Sequence, residues 1–176
     1  MDRDFWRRVR QQDFAVPGPE SPQSLAPELE SYLGSPDPEL RDDLAYMILG
    51  TWIERGHLST EYMRQLTDRM LANLERGLGE PESDGVFRRS FSALILTELV
   101  LKDAEGPFWS PEEARRVMEG ALSYLRQERD LRGYVPGKGW AHSVAHTADL
   151  LRALAANPRL ERAHLEQLME AIGRKV

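Results

Sequence analysis

From Pro38 onward, apolar residues recur at intervals of three and four, and no stretch alternates with the period of two that a half-buried strand shows. Leu40, Leu44, Met47, Ile48 and Trp52 form one such stripe. Asp37 precedes it as a good N-cap, Pro38 fits the first helical position, and Gly56 closes it. After Ser59, a second cap, Met63, Leu66, Met70, Leu74 and Leu78 repeat the spacing, with the methionines read as core fillers. The stretch from about Gly85 to Asp103 carries Phe87, Phe91, Leu94, Ile95 and Leu99. Its part from Ala93 to Leu101 is apolar on most sides, as in a helix buried all round. Ser110-Pro111-Glu112-Glu113 is the strongest local signal: serine caps, proline takes the first position, and Glu113 completes a capping box for a helix to about Arg129. Further helices are expected from near Trp140 to the break at Asn157-Pro158, and from Arg159 to Ile172. Near the amino terminus, Asp2 to Gln12 and Ser24 to Leu33 read as short helices, separated by a Pro/Gly-containing segment, 13–23, expected to be flexible.

The pattern therefore predicts an all-α chain of about seven or eight helices without a sheet, residues 1–176 forming one domain. Helix pairs beginning near residues 38, 85 and 140 give a spacing of about 50, close to the period of HEAT and armadillo repeats. A short α-solenoid with a concave face is the expected architecture. Leu44, Trp52, Phe91, Leu94, Ile95, Leu125, Val144 and Leu151 are its expected core.

Composition narrows the classes. A hydrophobic fraction of 41% and a charged fraction of 30% fit a soluble globular chain. With 23 basic and 29 acidic side chains, the net charge of −6 disfavours non-specific nucleic-acid binding, and no nucleic-acid partner is expected. There is no cysteine, so disulfides and thiolate chemistry are excluded and any metal would depend on histidine and carboxylate. The charged amino terminus lacks the apolar region of a signal peptide, and no apolar run approaches a membrane span. No membrane partner and a cytoplasmic location are expected.

Chemistry concentrates between Asp130 and Leu151. On a helix starting near Trp140, His142, His146 and Asp149 fall within one narrow arc, bordered by Ala145 and Ala153. Val144, Ala148, Leu151, Leu154 and Ala155 lie opposite, as an expected inward face. The preceding loop sets Arg132 and Lys138 among Gly133, Gly137 and Gly139, before a helix N-terminus with unpaired N–H groups. Such a corner suits an anion, with His142 at its edge. Arg89, near the start of an earlier helix, opposes that helix's dipole; a surface pair with Asp84 or Glu82 would relieve this, as would a bound anion.

Three readings follow. Arg132, Lys138, Gly139, His142, His146 and Asp149, with Arg89 and Asp130, could form a polar pocket for a small anionic ligand or for a protein or peptide partner. His142, His146 and Asp149 could instead serve an acid–base or metal-assisted hydrolase, either histidine acting as base. Or the cluster could simply tie loop to helix. The H-E-x-x-H pattern of zinc proteases and the phosphate-binding G-x-x-x-x-G-K-[ST] loop are both absent, and neither a cofactor nor a tightly held metal is expected. Ser143 lies about 100° from the histidine stripe, which argues against a Ser–His pair.

The run R-G-Y-V-P-G-K-G-W-A-H-S-V-A-H-T-A-D-L-L resembles the hallmark of the bacterial family of unknown function DUF2785. Val86 to Leu96, VFRRSFSALIL, and Leu40 to Ile53, LRDDLAYMILGTWI, match in the same order. The resemblance implies an all-helical, HEAT-like or armadillo-like protein and no known activity. Members of that family run on through further helices, so a short or truncated member is expected.

Overall fold

The computed structural model describes residues 1–175. Eight α-helices follow one another among them: α1 (Arg3–Gln11), α2 (Pro22–Tyr32), α3 (Met47–Glu54), α4 (Thr60–Glu75), α5 (Gly85–Glu105), α6 (Pro111–Gln127), α7 (Ser143–Ala156) and α8 (Arg162–Lys175). A π-helical segment, Glu39–Tyr46, leads straight into α3, and two short strands, β1 (Tyr134–Val135) and β2 (Gly139–Trp140), pair antiparallel between α6 and α7. The chain is mostly helical, and no described helix is long and apolar enough to cross a membrane.

The cap signals operate as expected. Asp37 accepts from the amide of Glu39 at 2.9 Å, Ser59 caps α4, and Ser110 and Glu113 form the reciprocal box of α6. α2 begins at Pro22 because Ser21 and Ser24 make a capping box of their own, with proline at the first position. At the start of the segment ahead of it, the Trp52 indole donates to the Phe14 carbonyl, and Arg55 bonds the backbone and carboxylate of Asp13.

α5 lies at the centre, packed against α3, α4 and α7. α3, α5 and α7 touch in succession, and so do α4, α6 and α8. One large apolar cluster runs through them, taking in Trp6, Trp52, Phe91, Ile95, Val117 and Leu154. Of the residues expected inside, Leu44, Trp52, Phe91, Leu94, Ile95 and Leu151 are buried, and Leu125 is half-buried.

Three expectations fail locally. The strand-free chain contains a hairpin, whose two-residue strands are too short to carry a period. Its turn needs Gly137 at φ 75°. Gly139 is required too, because a Cβ there would stand 2.9 Å from that of Pro38.

α7 begins at Ser143 rather than near Trp140, since the hairpin uses Trp140 and His142 sits in the left-handed region at φ 52°.

The buried face of α7 is also rotated from the expected one. Leu151 and Leu154 are buried as expected, but so are Ser143, His146, Thr147, Leu150 and Ala153, while Val144 is 53% exposed and Ala148 and Ala155 are exposed. Val144, Ala148 and Ala155 instead line an open apolar groove of about 500 Å³ with Leu165, Met169 and Ile172. α7 packs against α5, where the His146 ring meets Phe91 edge to face.

Candidate functional site

The loop between α6 and α7 is held by charge pairs and backbone bonds. Glu128, just past the end of α6, receives the Arg89 guanidinium through Nε at 2.5 Å and Nη2 at 3.1 Å, both side chains being buried. Glu128 Oε1 also accepts the amides of Arg129 and Asp130. Arg89 is thus no surface partner of Asp84 or Glu82. It lies on the side of α5 that meets the end of α6. Asp130, fully buried, takes both ends of the Arg132 fork, at 2.8 and 2.5 Å, and Arg132 donates onward to the Ser83 carbonyl. Lys138 reaches Asp84 at 2.7 Å on the surface. Both cations of the expected anion corner, Arg132 and Lys138, already hold carboxylates, as does Arg89, and an incoming anion would have to displace them. Ser143 Oγ donates to the Asp130 carbonyl and ties the start of α7 to the same loop.

Beyond the hairpin the arrangement changes. Val135 turns inward against Val86, Phe87 and Ala141. Tyr134 and Trp140, paired across the strands, stand outward, 58% and 48% exposed. Their rings meet edge to face at 5.2 Å. The His142 ring stacks on Trp140 at 4.4 Å and 7°. His146 follows at 5.6 Å from His142, then Phe91 at 4.9 Å from His146, then Tyr46 at 6.3 Å from Phe91. Six rings thus form one row, exposed at Tyr134 and Trp140, buried at His146 and Phe91, and half-buried again at Tyr46.

Burial, and next the neighbouring His142, lower the His146 pKa to about 4, so its imidazole is neutral at physiological pH. Its Nδ1 lies 3.2 Å from the Ser90 carbonyl, which can only accept, so Nδ1 carries the proton and Nε2 the lone pair.

Carboxylates flank this row. Asp42 lies within electrostatic reach of His142, and burial raises its pKa above the usual carboxylate range. Asp149 influences His146, Tyr46 and Glu98 in the same way. The Glu98 carboxyl accepts from the Tyr46 hydroxyl and is also pushed up, chiefly by burial. Among the described residues, neither the Asp42 nor the Asp149 carboxylate accepts a hydrogen bond. Arg41 Nε sits 2.7 Å from Asp42 Oδ1, but the N–H is not directed at it, and both atoms lack a hydrogen-bond partner. Arg152 approaches Asp149 only to 4.0 Å.

Arg41 supports the whole assembly. Wholly buried, it lies 4.1 Å over the Phe87 ring and 4.9 Å over Phe91, and donates to the carbonyls of Ser35, Lys138 and Trp140. The structure therefore sets His142 beside the buried His146, with Asp149 within electrostatic reach of His146; Arg132, Asp130 and Lys138 share the adjoining loop, and Arg89 meets its start from α5. Sequence reasoning missed Arg41, Tyr46, Glu98, Glu128 and the exposed pair Tyr134 and Trp140, and the role of Asp84. The π-helical segment holding Arg41 and Asp42 would have been a pointer, since such turns favour functional sites, but no residue pattern announces it. Among the described residues, no three histidine or acidic side chains are grouped to hold a metal ion.

A family model described as protein of unknown function, DUF2785, matches residues 74–176, more than half of the chain. The chain belongs to this family. The DUF2785 match takes in α5 to α8, the hairpin and both histidines; Arg41, Asp42 and the Leu40–Ile53 piece precede it. No curated protein and no solved structure matches the chain.

Proposed function

We propose that this chain is a HEAT-like helical-repeat binding module. Its recognition surface is the aromatic side of the motif, Tyr134, Trp140 and His142 with Asp149, joined by Asp42 of the π-helical segment; the buried His146 lies behind it. Support for the repeat architecture comes from the succession α3, α5, α7 beside α4, α6, α8. One contrast carries the choice of surface. The loop cations Arg89, Arg132 and Lys138 each hold a carboxylate, whereas Asp42 and Asp149, beside an exposed stack of rings, accept no hydrogen bond among the described residues. Buried polar atoms are normally satisfied internally, and Asp42 Oδ1 is buried without a hydrogen-bond partner. An anion at Arg132 and Lys138 would compete with Asp130 and Asp84. An acid–base role is less well supported, because His146 is already neutral and its Nδ1 is engaged.

Amide chemical shifts locate the surface whichever class of ligand it takes. Inorganic phosphate, arginine amide, glucose and acetyl-phenylalanine amide are titrated separately into the labelled protein. At least one is expected to shift Tyr134, Trp140, His142 and Ala145 together. Shifts confined to Arg132 through Lys138, or to the groove between α7 and α8, would overturn the reading.

A further inference from the structure

The kind of ligand can be narrowed, on the assumption that the surface just proposed is the binding surface. We infer that this surface takes a basic peptide segment, with an arginine guanidinium laid on the Trp140 ring and paired with Asp42. A second cation of the same segment would face Asp149, further along α7.

Three observations on different residues converge. First, an indole 48% exposed offers a flat, electron-rich face, the preferred seat for a guanidinium. Second, Asp42 lies within electrostatic reach of His142, the ring stacked on Trp140, and apart from the poorly aligned Arg41 Nε no described group offers it a donor. Asp42 is held above its usual pKa by burial, a cost that a cation bringing N–H donors would remove. Third, the protein already builds this arrangement internally: the Arg41 guanidinium lies over Phe87 and Phe91 with the Asp42 carboxylate beside it. Asp42 thus has one face toward an internal guanidinium, and its side chain remains 32% exposed for a second. The chain's net charge of −6 favours the approach of a basic partner and opposes an acidic one. Lysine fits less well, because an ammonium cannot stack as a plane while donating to a carboxylate.

Tryptophan fluorescence reads this surface selectively. Trp6, Trp52 and Trp109 are buried, so Trp140 is the only exposed tryptophan among the described residues. The probes are N-acetyl-arginine amide, its neutral isostere N-acetyl-citrulline amide, and inorganic phosphate. The arginine probe is expected to quench Trp140 saturably at roughly millimolar concentration, as suits one stacked cation with one charge pair. Citrulline should bind at least about fivefold more weakly. Asp42→Asn should weaken the arginine probe by about fivefold and leave citrulline unchanged, and raising the salt should weaken arginine alone. Circular dichroism verifies folding of the variant. Asp149→Asn, at an exposed position, supplies a second test with an arginyl-arginine amide probe.

Equal binding of arginine and citrulline would overturn the cation proposal while leaving a binding surface at Trp140. Quenching by phosphate alone would overturn it in favour of the loop cations. If no probe perturbs Trp140, and the amide shifts described above also stay away from it, both the ligand class and the surface are wrong.

Discussion

Two regions that meet at the Asp130–Leu151 motif, its loop side and its aromatic side, contain similar side chains in opposite conditions. In the loop half, Arg132 meets Asp130, Lys138 meets Asp84, and the nearby Arg89 meets Glu128, each carboxylate receiving at least two hydrogen bonds. On the other side, Asp42 of the π-helical segment, though 2.7 Å from Arg41, and Asp149 of α7 accept no hydrogen bond among the described residues, and Tyr134 and Trp140 of the hairpin present their rings to solvent. The lesson is that a cluster of chemically capable residues is not itself a site. Satisfied pairs hold the chain in place; unsatisfied groups next to exposed aromatic surface are what a partner can use.

The largest effect should come from the most deeply satisfied pair. Arg89→Ala leaves Glu128 buried without its cation and should cost about 3–5 kcal/mol in urea unfolding. A loss under about 1 kcal/mol would mean the loop half does not hold the fold, and the comparison breaks.

His146 gives the next effect, through pH. Its folded pKa of about 4 lies below the ordinary value near 6.5, so the unfolded chain binds the proton more readily. Its contribution to stability is therefore fully present above pH about 6.5 and is lost as pH falls toward 4, by about 3 kcal/mol. Stability measured from pH 7 to 4 should fall less steeply in His146→Gln than in the native chain. Parallel curves would show that burial does not suppress protonation of this ring.

Much of the helical framework was legible because it is written locally. Ser110 with Glu113, Ser59, and Asp37 followed by Pro38 announce helix starts within a few residues. The site was less so, because its determinants act at a distance. Arg41 holds the Lys138 carbonyl across 97 residues, and Arg89 meets Glu128 across 39; neither spacing has a sequence signature. The buried face of α7 was misread in part because Ser143, His146 and Thr147 count as polar, whereas each meets a backbone carbonyl, of Asp130, Ser90 and Ser143, and so can be buried. His142, His146 and Asp149 were recognised as a cluster, but the aromatic surface was not, since Tyr134 and Trp140 come together only through a hairpin with two-residue strands.

Lys138→Ala sharpens the comparison from its weakest pair. Both partners are partly exposed, so the loss should stay below about 1 kcal/mol and shrink further in high salt. A loss comparable with that of Arg89→Ala would place Lys138 in a stronger network than its geometry shows.

The most direct test unfolds Arg132→Ala and Trp140→Ala side by side in urea. Arg132→Ala strips a fully buried Asp130 of its charge partner and should cost about 3 kcal/mol. Trp140→Ala removes a half-exposed ring and its stacking contacts with Tyr134 and His142, and should cost no more than about 1 kcal/mol. Equal losses, or a larger loss for Trp140→Ala, would contradict the division of the motif into a half that holds the fold and a half left open for a partner.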